Sequence, residues 1–347
     1  QTGLGDLLDQ EQKRMGLGLK TKEMEAGLRS FSGEIAGIYD FDDQIWAPVY
    51  MGAQAPEYDW IFVDECQDLS PNQQRLVLLL AGQAGRVVCV GDRAQSIYGF
   101  RGAGVGALTQ LRHALNAKAL PLSVTYRCPK KVVAAAQEFC PDIEAAPWAV
   151  DGELIKGNIN KWRGPAAGDL VLCRTTAPLF AECLGLISRF QKARMLGRDI
   201  AKGIRQMIEA ATFDNHASAK RVADMVCASA LAKRNQLMDL GAAQAAADSW
   251  LDKADCVKAV AAGCRTKGEM LNAVNKMFAG DDGDAGKPAN MRMYDGVTYS
   301  TVHRAKGLEA ERVHVINHDL MPHPNARNDW EISQEENIIY VAYTRSK

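Results

Sequence analysis

The 347-residue chain has almost no net charge, 41 lysines and arginines standing against 42 aspartates and glutamates. That balance excludes a global field drawing the protein onto a polyanion, so any contact with nucleic acid has to come from a local groove of basic and aromatic side chains. Long hydrophobic runs are missing as well. The longest unbroken apolar stretch, Leu76 to Ala81, is far shorter than the roughly 20 residues of a membrane-spanning helix, and no secretory leader is visible. The nine cysteines include no Cys-x-x-Cys pair and no histidine at zinc-ligand spacing. A disulfide framework and a zinc site are thereby set aside, and the cysteines read as small buried hydrophobes in a reducing cytoplasm. Also absent is Gly-x-x-x-x-Gly-Lys-Ser/Thr, the loop whose backbone amides cradle phosphates and whose lysine balances their charge. The nearest approach, Gly16-Leu17-Gly18-Leu19-Lys20-Thr21, has leucine where the glycine before lysine must stand and follows a charged, helix-like Gln10 to Arg14. Gly102-Ala103-Gly104-Val105-Gly106 has no lysine and reads as a turn into a helix at Ala107 to Leu115.

What is present begins with two short segments. Trp60-Ile61-Phe62-Val63 runs into Asp64-Glu65-Cys66-Gln67-Asp68, and Val87-Val88-Cys89-Val90 runs into Gly91-Asp92-Arg93-Ala94-Gln95 and then Tyr98-Gly99-Phe100-Arg101-Gly102. Each is a continuous apolar run that stops at acidic or amide side chains, the pattern of a strand buried on both faces of a parallel sheet. Ligands of open α/β sheets sit beyond the carboxyl ends of the strands, so Asp64, Glu65 and Gln95 are expected to converge on one crevice. Magnesium takes hard oxygen ligands and keeps several waters, which suits one carboxylate, Asp64, beside substrate phosphates. A neighbouring carboxylate, Glu65, can orient and deprotonate an attacking water. An acidic pair by itself carries little, because exposed pairs at strand ends are common.

The rest of the chain alternates. Residues 1–55 are polar, Gly-punctuated and expected to be helical. From 56 to 118 the pattern is strand, helix, strand, loop, helix, with Ser70-Pro71 as a helix start. Residues 119–190 repeat it, with strands near Leu120 to Val124 and Asp169 to Cys173 and helices after Pro129 and Pro178. Between 191 and 290 the chain turns Ala-rich, charged and helical, ending in Asp281-Asp282-Gly283-Asp284-Ala285-Gly286, which reads as a loop; a calcium loop is disfavoured because the distal glutamate is missing. From 291 to 347, Gly296 to Thr301 and Arg312 to Asn317 are expected strands and Glu335 to Thr344 a helix with Arg345 at its last turn. The fold class is α/β with parallel sheets and a helical insertion.

The two opening segments resemble the second and third motifs of superfamily 1 DNA helicases of the UvrD/Rep type. Further matches follow in that family's order: Thr125-Tyr126-Arg127 resembles its fourth motif, Ser300-Thr301-Val302-His303-Arg304-Ala305-Lys306-Gly307-Leu308-Glu309 its fifth, and Glu335-Glu336 through Tyr340-Val341-Ala342-Tyr343-Thr344-Arg345 its sixth. The resemblance implies two RecA-like domains, the first incomplete, with ATP in the cleft between them. Residues 1–55 would be the remnant of one helical insertion, 56–118 the end of the first RecA-like domain, 119–190 and 291–347 the second, and 191–290 a short second insertion. Asp64 would hold Mg2+, Glu65 would activate water and Gln95 would sense the terminal phosphate. Tyr126 would stack on adenine, Arg127 and Arg345 would reach the phosphates, and Gly307 and Glu309 would meet the nucleotide, Glu309 at its ribose. Tyr98 and Phe100 would stack on bases of single-stranded DNA, with Arg101, His303 and Lys306 on its backbone.

The same resemblance implies a cytoplasmic 3′ to 5′ helicase working on single strands and single-strand/duplex junctions. It places a phosphate loop well upstream of the second motif, so the chain is expected to begin and end inside a longer protein and to hydrolyse no ATP alone. Alternatives are the motor of a helicase-nuclease and a DNA-binding relic without catalysis. Arg93-Ala94 stands where acidic residues are usual, Gly99 where a basic residue is common, and Arg304, replacing a small residue, is expected to compensate for a lost DNA contact. His314, His318 and His323 are expected to be solvated loop residues without a role.

Overall fold

The computed structural model describes residues 44–45, 48–49, 58–99, 103, 106–157, 164–241, 244–279, 294–324 and 326–347. The expectations for residues 1–43, for Phe100, Arg101 and Gly102, and for the loop from Asp281 to Gly286 lie outside these residues. The chain divides into two compact units, one ending at Leu122 and the other beginning at Ser123.

In the first unit β1 (Trp60–Val63) and β2 (Arg86–Cys89) pair in parallel, Val63 opposite Cys89. Between them runs α1 (Pro71–Ala81), where Ser70 and Gln73 satisfy each other's backbone N–H groups in a capping box and Pro71 opens the first turn. A helix α2 (Ala107–Ala114) follows. The expectation that both faces of β1 and β2 are buried is corrected here: alternate residues of each strand are exposed. Phe62 is 74% exposed and stacks on the half-exposed Trp60. Among the described residues β1 and β2 pair only with each other, and α1 packs against β1. A continuous apolar run therefore marks a strand without fixing how many faces are covered.

The second unit opens on β3 (Val124–Thr125), α3 (Lys130–Ala136) and β4 (Glu144–Ala145), with β3 and β4 in parallel register. Its main sheet is built from β5 (Leu170–Cys173), β6 (Ala193–Met195), β7 (Val297–Thr301) and β8 (Val313–Val315), in the order β6-β7-β5-β8 with every pairing parallel. β5 sits centrally and is wholly buried, as a Leu-Val-Leu-Cys run should be. Helix α4 (Ala177–Ser188) packs against β5, β6 and β7. The wholly helical character expected from residue 191 is corrected by β6, which extends the sheet before α5 (Arg198–Ala210), α6 (Ala219–Asp239), α7 (Gln244–Ala262) and α8 (Lys267–Met277) begin. Helix α9 (Asp329–Tyr343) closes the chain.

Two buried charges tie this unit together. The Lys267 ammonium, on α8, donates to the carbonyls of Glu209, Ala211 and Phe213, so it caps the C-terminal end of α5. Asp169, just before β5, is 4% exposed and accepts from the Ala166 N–H at 2.9 Å, from Arg312 Nε at 2.9 Å and from a His314 ring nitrogen at 2.8 Å. His314 is thus a half-buried strand residue with a structural partner, which corrects its reading as a solvated loop position.

Burial raises the Asp169 carboxyl, but the Ala166 amide, His314 and Arg312 outweigh it and hold the group below its ordinary value. A depressed carboxylate stabilises the fold above its unfolded-state pKa, and that contribution is lost as pH falls below about 4. Asp169→Asn is expected to destabilise the unit at neutral pH by a margin that shrinks in acid. Urea midpoints of both proteins at neutral pH and at pH about 3 check this; a margin independent of pH would contradict it.

Candidate functional site

In the first unit, the carboxyl ends of β1 and β2 carry one hydrogen-bonded network. Asp64 and Glu65 are exposed where β1 stops. Glu65 takes a left-handed backbone conformation (φ 51°), and its N–H donates to Asp64 Oδ1 at 2.9 Å. The link between the two segments is Gln67, only 2% exposed. Its Nε2 donates to Glu65 Oε2 at 2.5 Å and its Oε1 accepts from the Asp92 N–H at 3.0 Å. Asp92 in turn accepts from Gln95 Nε2 at 2.9 Å and caps the short turn Arg93–Gln95 through the Ala94 N–H. The Cys66 N–H meets the Val90 carbonyl at 3.0 Å. Gly91 is required by this closeness, since a Cβ there would lie 2.5 Å from Gln67 Oε1 and 2.8 Å from Cys66 Sγ.

Asp64, Glu65 and Gln95 thus stand on one hydrogen-bonded chain, relayed by Gln67 and Asp92, which were quoted within the motifs but given no role. No cluster of three or more His, Cys, Asp or Glu among the described residues could hold a metal by itself. A lone exposed carboxylate fits a magnesium ion that draws its remaining ligands from water and phosphate. Tyr98 lies half-buried beyond this turn, following Ile97, which is fully buried.

The second unit carries a shallow cleft, wide open to solvent and of about 600 Å³, lined by Val124, Thr125, Tyr126, Arg127, Glu309 and Lys347. Tyr126 and Arg127 follow directly on β3, so they project beyond a strand's carboxyl end. Glu309 arrives from the far end of the chain through a turn after β7. Gly307 in that turn has φ 85°, a left-handed conformation that glycine adopts without strain. Arg127 Nε lies 2.7 Å from Glu309 Oε2, and Lys347 Nζ 3.3 Å from Glu309 Oε1. Burial raises the Glu309 carboxyl, and Arg127 and Lys347 outweigh it and keep the group below the usual carboxylate range. The cleft thus holds one ionised carboxylate between two cations, beside the exposed ring of Tyr126.

Arg345 is placed differently from the expectation. It is 1% exposed, and its guanidinium donates to the carbonyls of Val341 and Leu308 and to Thr344 Oγ1. Desolvation, with Arg127 nearby, pushes its pKa down. It lies just past the end of α9 and ties that helix to the turn presenting Glu309; it does not line the cleft.

His303 and Lys306 are half-buried in the turn after β7. Arg304 is paired with Asp199 at the start of α5. Near His303, Glu335 is 5% exposed, accepts bidentately from Arg174 and takes the His323 N–H at 2.9 Å. Burial raises this carboxyl, and Arg174 more than offsets it. His318 contacts the Tyr343 hydroxyl at 3.0 Å. Neither His318 nor His323 stands as a free loop residue.

Comparison with known proteins decides the family. A UvrD/REP helicase N-terminal domain model matches residues 22–116, and a UvrD-like helicase C-terminal domain model matches residues 254–347. The chain belongs to the UvrD-like superfamily 1 helicases. Its relatives include DNA helicase II of Haemophilus influenzae, 31% identical over 114 residues that make up 33% of this chain and 15% of that protein. ATP-dependent DNA helicase PcrA of Staphylococcus epidermidis is 36% identical over 108 residues, 28% of this chain and 15% of the relative. The chain thus matches about 15% of the length of these curated relatives. Among the described residues no helix is long and apolar enough to cross a membrane.

Proposed function

We propose that this UvrD-like chain is the motor portion of an ATP-dependent DNA helicase that translocates 3′ to 5′ on single-stranded DNA and acts at single-strand/duplex junctions in repair, replication or recombination. The observation that carries the reading is the cleft in the second unit. It gathers an exposed aromatic ring, a guanidinium and an ionised carboxylate from two distant motifs, the complement of a base, a phosphate and a ribose. Tyr126 stacks on the base, Arg127 exchanges its partner Glu309 for phosphate oxygens, and Glu309 turns to the ribose hydroxyls. Arg345 supports this end of the cleft through the Leu308 carbonyl.

In the first unit Asp64 would hold the magnesium ion, which neutralises charge on the phosphates when bound. Glu65, oriented by Gln67, accepts the proton of the attacking water, and Gln95 reports the terminal phosphate to Tyr98 a few residues on. Tyr98 and Phe100 stack on unpaired bases, and Arg101, His303 and Lys306 bind the backbone. Because the chain contains no Gly-x-x-x-x-Gly-Lys-Ser/Thr sequence, it is expected to bind DNA and nucleotide while showing no ATP turnover of its own.

Anisotropy of a labelled oligonucleotide tests the DNA half of this reading. The chain should bind single strands of any sequence in a salt-dependent way, and Tyr98→Ala should weaken binding by the roughly 1–3 kcal/mol of one stacked base. Absence of single-strand binding, or indifference to Tyr98→Ala, would contradict it. DNA-stimulated ATPase in the isolated chain would overturn the expectation of inactivity.

A further inference from the structure

Tyr126 does not stand alone. Trp148, from the loop after β4, sits with its ring centroid 5.7 Å from that of Tyr126 at an interplanar angle of 38°. The two rings are 75% and 74% exposed. Two large aromatics left open side by side are costly in water unless something covers them, and here they adjoin a charged cleft.

The loop bearing Trp148 is firmly held. The Ala146 N–H donates to the Thr125 carbonyl at 3.1 Å, which fixes the loop to the strand that ends in Tyr126. Two residues beyond Trp148 the chain turns back onto α3, where the first helical N–H groups, Lys130 and Lys131, donate to the carbonyls of Val150 and Asp151 at 2.9 and 3.0 Å. Gly152 then passes so close to Pro129 that a Cβ would lie 2.4 Å from the proline ring. The backbone on both sides of Trp148 is anchored, which holds its ring within reach of Tyr126.

We propose that Trp148 is a positioning residue for the base of a bound purine nucleotide. It braces the Tyr126 ring in the orientation that stacks on the base and extends the flat apolar surface the base meets. This rests on the nucleotide reading of the cleft and deepens it. Braced in this way, the cleft discriminates between ligands with a large flat base and those without one, since inorganic pyrophosphate needs Arg127 and gains nothing from the rings.

Titration of ADP and of inorganic pyrophosphate into the full chain, followed by calorimetry and by tryptophan emission, tests the proposal. An aromatic pair contributes about 0.5–1.5 kcal/mol, so Trp148→Ala should weaken ADP about 2- to 10-fold and leave pyrophosphate affinity unchanged. Trp148→Phe, which keeps a ring, should hold ADP affinity near that of the parent while removing the ADP-dependent change in emission. Equal weakening of ADP and pyrophosphate by Trp148→Ala would mean that the ring only supports the fold, and the proposal would fall. If Tyr126→Ala weakens ADP and Trp148→Ala does not, this inference fails while the nucleotide reading stands. If the parent binds no ADP, both fail together.

Discussion

Arg127→Ala is expected to weaken ADP binding by about 10- to 100-fold, the loss of a hydrogen bond to a charged group worth about 1.5–3 kcal/mol. The size of the effect follows from what Arg127 gives up on binding. Its present partner is Glu309 at 2.7 Å, with both side chains more than a third exposed, and ion pairs so open to solvent contribute at most about 1 kcal/mol. A phosphate offers the same guanidinium two oxygens in a geometry it matches bidentately. Exchange of the carboxylate for a phosphate is therefore downhill, and Glu309 keeps Lys347 at 3.3 Å as a counter-charge. Arg127→Lys retains the charge without the planar fork and should fall between parent and alanine. Calorimetric affinities for the three proteins check the order; equal affinities would remove Arg127 from the site.

Gln67→Leu should be nearly as disruptive in the first unit. The buried amide joins Glu65 to the Asp92 backbone, and the Ser96 hydroxyl, donating to the Gln67 carbonyl at 3.3 Å, ties the same two motifs through the backbone of the residue replaced. Leucine of similar size would remove the acceptor of the Asp92 N–H and one donor to Glu65, at a cost of about 2–4 kcal/mol when the neutral and charge-assisted bonds are counted together. Freed from Gln67, Glu65 also loses the contact that orients it. Urea denaturation followed by far-ultraviolet circular dichroism measures the first effect, and a midpoint equal to that of the parent would show that the bridge contributes nothing.

Much of this was legible in the amino-acid sequence, for identifiable reasons. Pro71 after Ser70 and the apolar run Leu170 to Cys173 each depend on neighbours close in the chain, and the structure forms both. What stayed hidden depends on tertiary partners. Phe62 lies in a run that reads as fully buried, yet its exposure is set by which strands and helices flank β1. Trp148 in Ala-Ala-Pro-Trp-Ala looks like an ordinary loop residue, and only the parallel register that pairs Thr125 with Ala145 brings it beside Tyr126. Arg345 at a helix end reads as a free cation until the turn carrying Leu308 is folded over it. Lys347 and Gln67 gave no signal of their own, since neither residue type implies a partner.

The central claim is that Tyr126, Arg127 and Glu309 form an adenine nucleotide site within the second unit. Photo-crosslinking the chain with an azido-adenine nucleotide and mapping the adduct by mass spectrometry tests it directly, even at low affinity. Labelling should fall on the peptide containing Tyr126, be displaced by ATP, and disappear in Arg127→Ala. Labelling that ATP does not displace, or that persists elsewhere in the chain when Arg127 is removed, would contradict the account.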